Sequence, residues 1–210
     1  MKKTETLIDR DMKRYGFFLG SFDPPHLGHV KVVEKVLREN LVDHVIVVPA
    51  PQNPWKKHKP ASLAQRYWMC YETFKDIDNV RVMTGTDGLW NEDPLLENGQ
   101  GGKKVSYSYR QLQAVLDQFS KPLKKDMEKY LVCGTDVYEG IKYWKNGEWV
   151  LENFKPLLID RPGYSEEADP EIPEISSSEI RELIGEGESL PWGFLKDEVI
   201  RRIKEFRIYG

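Results

Sequence analysis

Short apolar runs alternate with longer amphipathic stretches along this chain, and this alternation restricts its fold more than any other feature. The run His44–Pro49 contains no acidic residue, lysine or arginine, as expected of a strand buried inside a parallel sheet. Tyr15–Leu19 is a similar run. Between them, His26–Asn40 places Val30 and Val33 on one helix face. A β-α-β order of this kind predicts a parallel sheet with helices on both faces.

The same alternation continues towards the end of the chain. Further strands are predicted at Val80–Met83, Tyr130–Cys133 and Lys155–Ile159, and further helices at Ser62–Phe74, Tyr107–Phe119, Ser177–Ile184 and Asp197–Phe206. Ser62 is a plausible N-cap. Irregular segments are predicted at Pro49–Pro60, Asp87–Lys104 and Arg161–Pro173. We expect a tail at 1–14, a Rossmann-like doubly wound α/β domain at 15–175, and a small C-terminal helical subdomain of the same domain at 176–210.

Charge and composition exclude several classes of partner. With 210 residues and a formal net charge of -3, the chain has no global basic field to attract nucleic acid. Cys70 and Cys133 both lie in apolar runs, which predicts buried free thiols. The first 14 residues lack the apolar core of a signal peptide, and no run approaches the roughly 18 apolar residues of a membrane span. We therefore expect a cytoplasmic protein with small-molecule partners; its oligomeric state, including a homo-oligomer, stays open.

The segment Gly20–His29 joins the first predicted strand to the first predicted helix through a turn rich in glycine and proline. The N–H groups at such a helix start lack partners within the helix and favour anions. His26 and His29 are three residues apart and lie on one helix face. This combination predicts a nucleoside triphosphate at the end of the first strand, with both imidazoles directed at its phosphates.

A second candidate anion site lies at Ser176–Arg181. Ser176 and Glu179 fit a capping box, which accounts for these two residues alone. Ser177, Ser178 and Arg181 add two hydroxyl groups and a guanidinium to the same helix start. These groups are typical of a phosphate site.

The two motifs resemble those of a known family. Gly20–His29 resembles the GxFxPxHxGH signature of the nucleotidyltransferase superfamily, and Ile175–Arg181 resembles its ISSTxxR partner, with Ser178 in place of threonine. Together they resemble the nicotinate/nicotinamide mononucleotide adenylyltransferases, over roughly residues 15 to 206. Further similar segments are Pro54-Trp55-Lys56, Ser106-Tyr107-Ser108, Gly134-Thr135-Asp136, Trp144 and Arg161-Pro162-Gly163.

The resemblance implies a nucleotidyltransferase-type fold and adenylyl transfer from ATP to a pyridine mononucleotide, with release of pyrophosphate. It implies catalytic roles for His29, His26 and Arg181. The expected ATP-binding residues are Gly20, Ser21, Phe22, His26, Gly28, His29, Gly134, Asp136, Ser177, Ser178 and Arg181. The expected mononucleotide-binding residues are Lys56, Ser108, Trp144 and Arg161. Mg²⁺ is expected to be bound mainly through ATP phosphates, with no protein metal site.

Other interpretations remain open at this point. Trp55 replaces a family histidine, Arg110 replaces an acidic residue, and the segment Asp87–Lys104 is long, so the choice between nicotinate and nicotinamide is not decided. Phosphopantetheine adenylyltransferases, FMN adenylyltransferases and cytidylyltransferases share the superfamily motif. Class I aminoacyl-tRNA synthetases also have a motif of this type, but the short chain, the absence of a KMSKS-like segment and the mild acidity disfavour them. A non-catalytic nucleotide sensor is a further alternative.

Single residues also have ordinary structural explanations. His26 and His29 could be half-buried histidines without a ligand. Asp136 could be the N-cap of a helix at Val137–Trp144. Trp144 could be a core residue, in which case Trp149 competes for stacking on the pyridine ring.

Overall fold

The computed structural model describes residues 12–50, 61–85, 97–98, 104–105, 107–160, 169–188 and 193–209. Within these ranges lies a five-stranded, wholly parallel sheet of β1 (Lys13–Gly20), β2 (His44–Pro49), β3 (Val80–Val82), β6 (Met127–Cys133) and β7 (Lys155–Leu158). The order of its strands is β3-β2-β1-β6-β7. A separate antiparallel pair is formed by β4 (Glu97–Asn98) and β5 (Lys104–Val105).

The helices largely follow the sequence periodicity. They are α1 (Leu27–Arg38), α2 (Leu63–Phe74), α3 (Ser108–Asp117), α4 (Lys121–Lys125), α5 (Thr135–Gly140), α6 (Gly147–Asn153), α7 (Ser177–Gly185) and α8 (Asp197–Glu205). The predicted cap of α2 is confirmed, because the Ser62 hydroxyl accepts a hydrogen bond from the N–H of Gln65. The parallel sheet with flanking helices confirms the predicted α/β class.

The order of the strands determines where a ligand can bind. The chain runs from β1 through α1 to β2 on one side, and β6 lies against β1 on the other side. The direction of winding therefore reverses between β1 and β6. In open α/β sheets, ligands bind in the crevice at the carboxyl ends of the strands at such a reversal. Gly20 and Cys133, the last residues of β1 and β6, end at this edge.

Apolar side chains cover both faces of the sheet. One buried cluster includes Phe17 of β1, Leu112 of α3 and Val150 of α6. The opposite cluster includes Val33 of α1 and Val45 of β2. Burial of such side chains stabilises a fold by about 25 cal/mol per Å² of apolar surface. The two layers of helices thus pack on the sheet from whose carboxyl ends the loops extend.

A third apolar cluster joins α7 and α8 to the main domain. Ile180 of α7 and Val199 and Ile203 of α8 pack with Met69 of α2, and all four are buried. Ile208, which follows α8, belongs to the same cluster. The C-terminal helices consequently lie next to the loop that follows β1, where the candidate site is found.

The prediction of a helix at Val137–Trp144 is wrong in the position of that helix. The chain instead forms α5, a 3₁₀ turn at Ile141–Tyr143, and then Trp144 in extended conformation. Gly134, and not Asp136, is the N-cap residue of α5. Asp160 caps the start of this helix instead. Its carboxylate accepts hydrogen bonds from the N–H of Thr135 at 2.8 Å and from the hydroxyl of Thr135 at 2.9 Å.

Candidate active site

The loop between β1 and α1 is held in an unusual backbone conformation. Phe22 has a φ of 46°, in the left-handed region that a bulky residue rarely adopts. Its ring is buried and contacts Phe18, His29 and Phe74 edge to face. Packing of this ring therefore fixes the turn. Strained backbone of this kind is concentrated at functional sites.

His26 and His29 lie at the start of α1 with their ring centroids 3.8 Å apart. His26 is the N-cap residue and is only 3% exposed, whereas His29 is partly exposed. The N–H of His26 donates a hydrogen bond of 3.1 Å to Nδ1 of His29. Because Nδ1 accepts, the proton of the neutral His29 ring is on Nε2. His29 is thereby prepared to donate from its outer nitrogen.

Gly28 makes room for a side chain of the protein itself. A Cβ atom at this position would lie 3.1 Å from Cε1 and Nδ1 of the His26 ring. The family resemblance places Gly28 among the expected ATP-binding residues. In the structure, the space left by its missing side chain adjoins the His26 imidazole. At Gly20, a Cβ atom would lie 3.0 Å from the Phe22 ring.

The two sequence motifs meet in space. Arg181 donates a hydrogen bond of 2.7 Å from its guanidinium to the carbonyl oxygen of Asp23, three residues before His26. The Ser177 hydroxyl donates to the carbonyl oxygen of Pro24 at 2.9 Å. The start of α7 thus lies directly against the loop that leads into α1.

Within α7, the capping box predicted from Ser176 and Glu179 is confirmed. The Ser176 hydroxyl accepts from the N–H of Glu179, and the Glu179 carboxylate accepts from the N–H of Ser176. Arg181 donates a second hydrogen bond to the Ser178 hydroxyl at 3.0 Å. Its guanidinium is therefore held in one orientation at the helix start.

Gly134 and Asp136 lie at the carboxyl end of β6, the neighbour of β1 in the sheet. Asp136 is exposed. A Cβ atom at Gly134 would lie 2.6 Å from Oδ1 of Asp136, so glycine allows this carboxylate to fold back over the strand end. Their position is at the winding reversal where a nucleotide is expected.

The described candidates for the mononucleotide lie on α3 and beside the 3₁₀ turn. Ser108 is the first residue of α3. Trp144 is partly buried against the cluster that contains Phe17, and Lys145 lies with Nζ 4.5 Å from the centre of the Tyr107 ring. Lys56 and Arg161, as well as most of the segment 87–104, lie outside the described residues.

Trp149, the competing candidate for stacking, is engaged in packing. Its ring contacts Tyr109 and Phe154 at centroid distances of 6.5 and 6.1 Å, close to edge to face. Packing therefore accounts for Trp149 without a ligand.

Sequence reasoning missed three residues that lie beneath the loop, namely Asp23, Arg66 and Tyr209. Asp23 is fully buried, and its carboxylate accepts hydrogen bonds from the Tyr209 hydroxyl and from the N–H of Ala61. Arg66 is 1% exposed. Asp23 lies inside the first motif, so sequence analysis could have identified it as a candidate. Arg66 and Tyr209 stand in ordinary helical and terminal segments that carry no such signal.

The two cysteines are buried free thiols, as predicted. Burial raises the pKa of Cys133 to about 12, and the nearby carboxylates of Asp136 and Asp160 act in the same direction. Burial also raises the pKa of Cys70 strongly. Neither thiol is a thiolate at neutral pH, so neither is suited to nucleophilic catalysis.

In the described part of the chain, no group of three or more His, Cys, Asp or Glu side chains is arranged to hold a metal ion. The groups that surround the loop are N–H, imidazole, hydroxyl and guanidinium donors. Such donors suit phosphate oxygens. In the same part of the chain, no helix has the length and apolar character needed to cross a membrane.

Known proteins resemble this chain over most of its length. A protein of Gemmatimonas aurantiaca, named "Probable nicotinate-nucleotide adenylyltransferase", is 29% identical over 93% of this chain and 92% of its own. A protein of Oceanobacillus iheyensis with the same name is 27% identical over 95% of this chain and 98% of its own. These relatives confirm the family resemblance drawn from the two motifs.

The fold is also found in solved structures. Plasmodium falciparum nicotinic acid mononucleotide adenylyltransferase, complexed with NaAD, has a TM-score of 0.62 and 21% identity, covering 94% of this chain and 97% of that one. This likeness confirms the Rossmann-like nucleotidyltransferase fold. The family model described as "Cytidylyltransferase-like" matches residues 17–183, which include the second half of β1, both motifs and the whole of β6. The chain therefore belongs to the cytidylyltransferase-like family.

Proposed function

We propose that this protein transfers the adenylyl group of ATP to nicotinate mononucleotide, forming deamido-NAD and pyrophosphate. The observation that carries the proposal is the meeting of two phosphate-binding motifs at one loop. Arg181 donates to the carbonyl oxygen of Asp23, only three residues before His26, although 158 positions of chain separate the two partners. The names of the relatives from Gemmatimonas aurantiaca and Oceanobacillus iheyensis support the same activity.

The reaction needs no protein nucleophile. A phosphate oxygen of the mononucleotide, already anionic at pH 7, attacks the α-phosphorus of ATP, and the bond to the β-phosphate oxygen breaks. Catalysis then consists of in-line positioning and of neutralising the charge that develops on the leaving pyrophosphate. Thiols held in the neutral form and a site rich in N–H donors are consistent with this division of labour.

Each group at the loop has a role in this scheme. His29 donates from Nε2 to the α-phosphate region as negative charge moves through the transition state. His26 contacts the triphosphate from the N-cap position, and Gly20, Ser21 and Phe22 offer backbone contacts. The backbone N–H of Ser177, whose hydroxyl proton is donated to Pro24, holds the β- and γ-phosphates together with Ser178 and Arg181.

The remaining ATP contacts lie across the winding reversal. Gly134 lets the chain pass close to the nucleotide, and Asp136 accepts hydrogen bonds from the ribose hydroxyls. Exposure of Asp136 at the end of β6, beside β1, supports this role.

Mg²⁺ belongs to this proposal through the substrate. When bound with ATP, it would neutralise part of the charge on the phosphate oxygens. The carboxylate of Asp23, buried in the loop that leads into α1, accepts hydrogen bonds from Tyr209 and Ala61. We therefore expect phosphate oxygens and water to be the main ligands of the ion.

The start of α3 supports a carboxylate-bearing pyridine. Its first turn contains no acidic residue, and its N-cap residue Tyr107 makes no side-chain cap. Lys145 adds a positive charge over the Tyr107 ring. A helix start with a nearby cation favours a nicotinate carboxylate over a neutral carboxamide. Lys56, Ser108, Trp144 and Arg161 complete the proposed mononucleotide site.

An acceptor screen tests the proposal. The protein is incubated with Mg-ATP and nicotinate mononucleotide, nicotinamide mononucleotide, FMN or phosphopantetheine, and pyrophosphate release is measured. We expect the highest kcat/KM with nicotinate mononucleotide. The proposal is wrong if another acceptor is preferred, if CTP replaces ATP, or if ATP and the mononucleotide bind without forming pyrophosphate, as in a sensor.

A further inference from the structure

A buried polar network lies directly beneath the loop that leads into α1. At its centre is Asp23, which is 0% exposed. Its Oδ1 atom accepts hydrogen bonds from the Tyr209 hydroxyl at 2.7 Å and from the N–H of Ala61 at 3.1 Å. Its Oδ2 atom lies 4.0 Å from the Arg181 guanidinium. A buried carboxylate is costly unless donors of this kind surround it.

Arg66 of α2 provides a second positive charge near Asp23. Its guanidinium donates to the carbonyl oxygens of Ser21, Ala50 and Ala61, so it connects the segments that follow β1 and β2 to the start of α2. Burial lowers the pKa of Arg66, and the negative charge of Asp23 opposes this effect. The carboxylate therefore interacts electrostatically with two cationic side chains, Arg66 and Arg181.

Tyr209 reaches Asp23 from the far end of the chain, 186 positions away. The tail that carries it is strained, because Arg207 and Tyr209 have φ angles of 48° and 75°. Between them, Ile208 is buried in the cluster that contains Ile180 of α7. Residues persist in this region of backbone space only where the surroundings hold them. The tail is thus fastened to the same helix that carries Arg181.

We propose that Tyr209 is a positioning residue for the polyphosphate site, which it controls through Asp23 and Arg181. The inference rests on the proposed function in one respect, since it takes a polyphosphate as the ligand of Arg181. The Tyr209 hydroxyl neutralises part of the charge on Asp23, and so it limits the pull of this carboxylate on the Arg181 guanidinium.

The consequence of losing the hydroxyl follows from the distances. At 4.0 Å, Oδ2 of Asp23 and the nearest guanidinium nitrogen of Arg181 are just beyond a direct hydrogen bond. With one donor removed, the buried carboxylate attracts Arg181 more strongly. The guanidinium then moves towards Asp23 and away from the open side of the loop. Less of its positive charge is available to a bound phosphate.

The test is Tyr209→Phe, which removes the hydroxyl and keeps the ring. Its control is Tyr71→Phe, because Tyr71 lies on α2 and is 48% exposed. Binding of inorganic pyrophosphate is measured by calorimetry, KM is measured for ATP and for nicotinate mononucleotide, and Tm is measured for each variant. We expect Tyr209→Phe to raise the pyrophosphate Kd and the KM for ATP about tenfold. The KM for the mononucleotide should stay within about twofold, and Tyr71→Phe should behave as wild type.

A double-variant cycle separates positioning from general stability. If Tyr209 acts through Arg181, Tyr209→Phe should weaken pyrophosphate binding much less in an Arg181→Lys background than in the wild type. Equal losses in both backgrounds would overturn the inference. So would a Tyr209→Phe protein with a lowered Tm but unchanged affinities for pyrophosphate and ATP.

The same experiment distinguishes this inference from the proposed function. A wild-type protein that releases no pyrophosphate from ATP with any acceptor contradicts the proposed function. If Tyr209→Phe still weakens pyrophosphate binding in that protein, and does so through Arg181, the positioning role stands independently.

Discussion

The N–H of His26 donates to Nδ1 of His29 across 3.1 Å, within the first turn of α1. This hydrogen bond links the backbone of one histidine to the ring of the other. It fixes both the orientation and the proton of His29, since an accepting Nδ1 leaves Nε2 as the donor. The spacing of three residues therefore prepares a directed N–H donor for the site.

Replacing His29 by alanine should mainly lower kcat. A well-placed donor to the transition state contributes about 3–4 kcal/mol, which corresponds to a loss of roughly 10²- to 10³-fold. The KM for either substrate should change little, because the donor acts on charge that develops during the reaction. Steady-state kinetics with Mg-ATP and nicotinate mononucleotide provide the measurement. His44→Ala is the control, because His44 stacks on Tyr15 at the opposite edge of the sheet; equal losses in both variants would contradict the assignment.

A methyl group at Gly28 should reduce activity without unfolding the protein. The added Cβ would crowd the His26 ring at 3.1 Å. Displacement of this ring should lower kcat about 10- to 100-fold. The gain in helix propensity, up to about 1 kcal/mol, opposes the crowding, so we expect a Tm close to that of the wild type.

Gly185→Ala is the matched control for Gly28→Ala. It also adds a methyl group to a helix, but the nearest atom outside the helix is 3.8 Å away. This variant should gain about 0.5–1 kcal/mol in the free energy of unfolding and keep its kcat. A Gly28→Ala protein that is as active as Gly185→Ala would show that the His26 ring has no part in turnover.

Neighbouring serines at the start of α7 should give different losses. Ser177→Ala removes the hydrogen bond to Pro24, and the loosened loop should raise the KM for ATP about 2- to 10-fold. Ser176→Ala removes a helix cap, and should lower the free energy of unfolding by about 1 kcal/mol with the KM unchanged. Chemical denaturation and kinetics on both variants distinguish the two effects. The assignment fails if Ser176→Ala changes the KM for ATP as much as Ser177→Ala does.

Stability in acid should depend on Asp43. Hydrogen bonds from the Arg14 side chain lower the pKa of the Asp43 carboxyl below its ordinary value near 4. A lowered pKa in the folded protein contributes stability above the pKa of the unfolded state, and this stability is lost as the pH falls through the folded pKa. Asp43→Asn should therefore be less stable than wild type at pH 6, with a smaller difference at pH 3.

Urea denaturation at both pH values measures the effect of Asp43→Asn. Asp117→Asn, which removes a more exposed carboxylate paired with Lys124, is the comparison. For each variant, the difference from wild type in the free energy of unfolding is compared between pH 6 and pH 3. If this difference shrinks equally in both variants, the acid-dependent contribution is not specific to Asp43.

The sheet was predictable because its strands correspond to short apolar runs in the sequence. The bounds of β2 are those expected, His44–Pro49, since a strand buried on both faces has few polar residues to blur its ends. The two motifs were also predictable, because their glycines, histidines and serines are spaced as a loop and helix start require. Their meeting at Asp23 and Arg181 followed from the resemblance and not from periodicity.

The rest depends on contacts that no local pattern records. Asp136 has the residue type of an N-cap, yet it does not cap α5. The capping carboxylate belongs to Asp160, which accepts a hydrogen bond from the N–H of Thr135, 25 positions earlier in the chain. Arg66 stands in an ordinary amphipathic helix, and only tertiary packing makes it buried. Tyr209 is a single tyrosine in a short tail. The roles of such residues can be recognised only once the tertiary structure shows which distant segments they contact.

The burial of Arg66 has a consequence for how the protein meets its substrates. An arginine keeps its charge over the whole physiological pH range, and this one is enclosed by carbonyl oxygens from three segments of chain. The crevice is consequently preorganised before a nucleotide binds. Little reorganisation is then required at the moment of reaction, and more of the binding energy remains for discrimination between substrates.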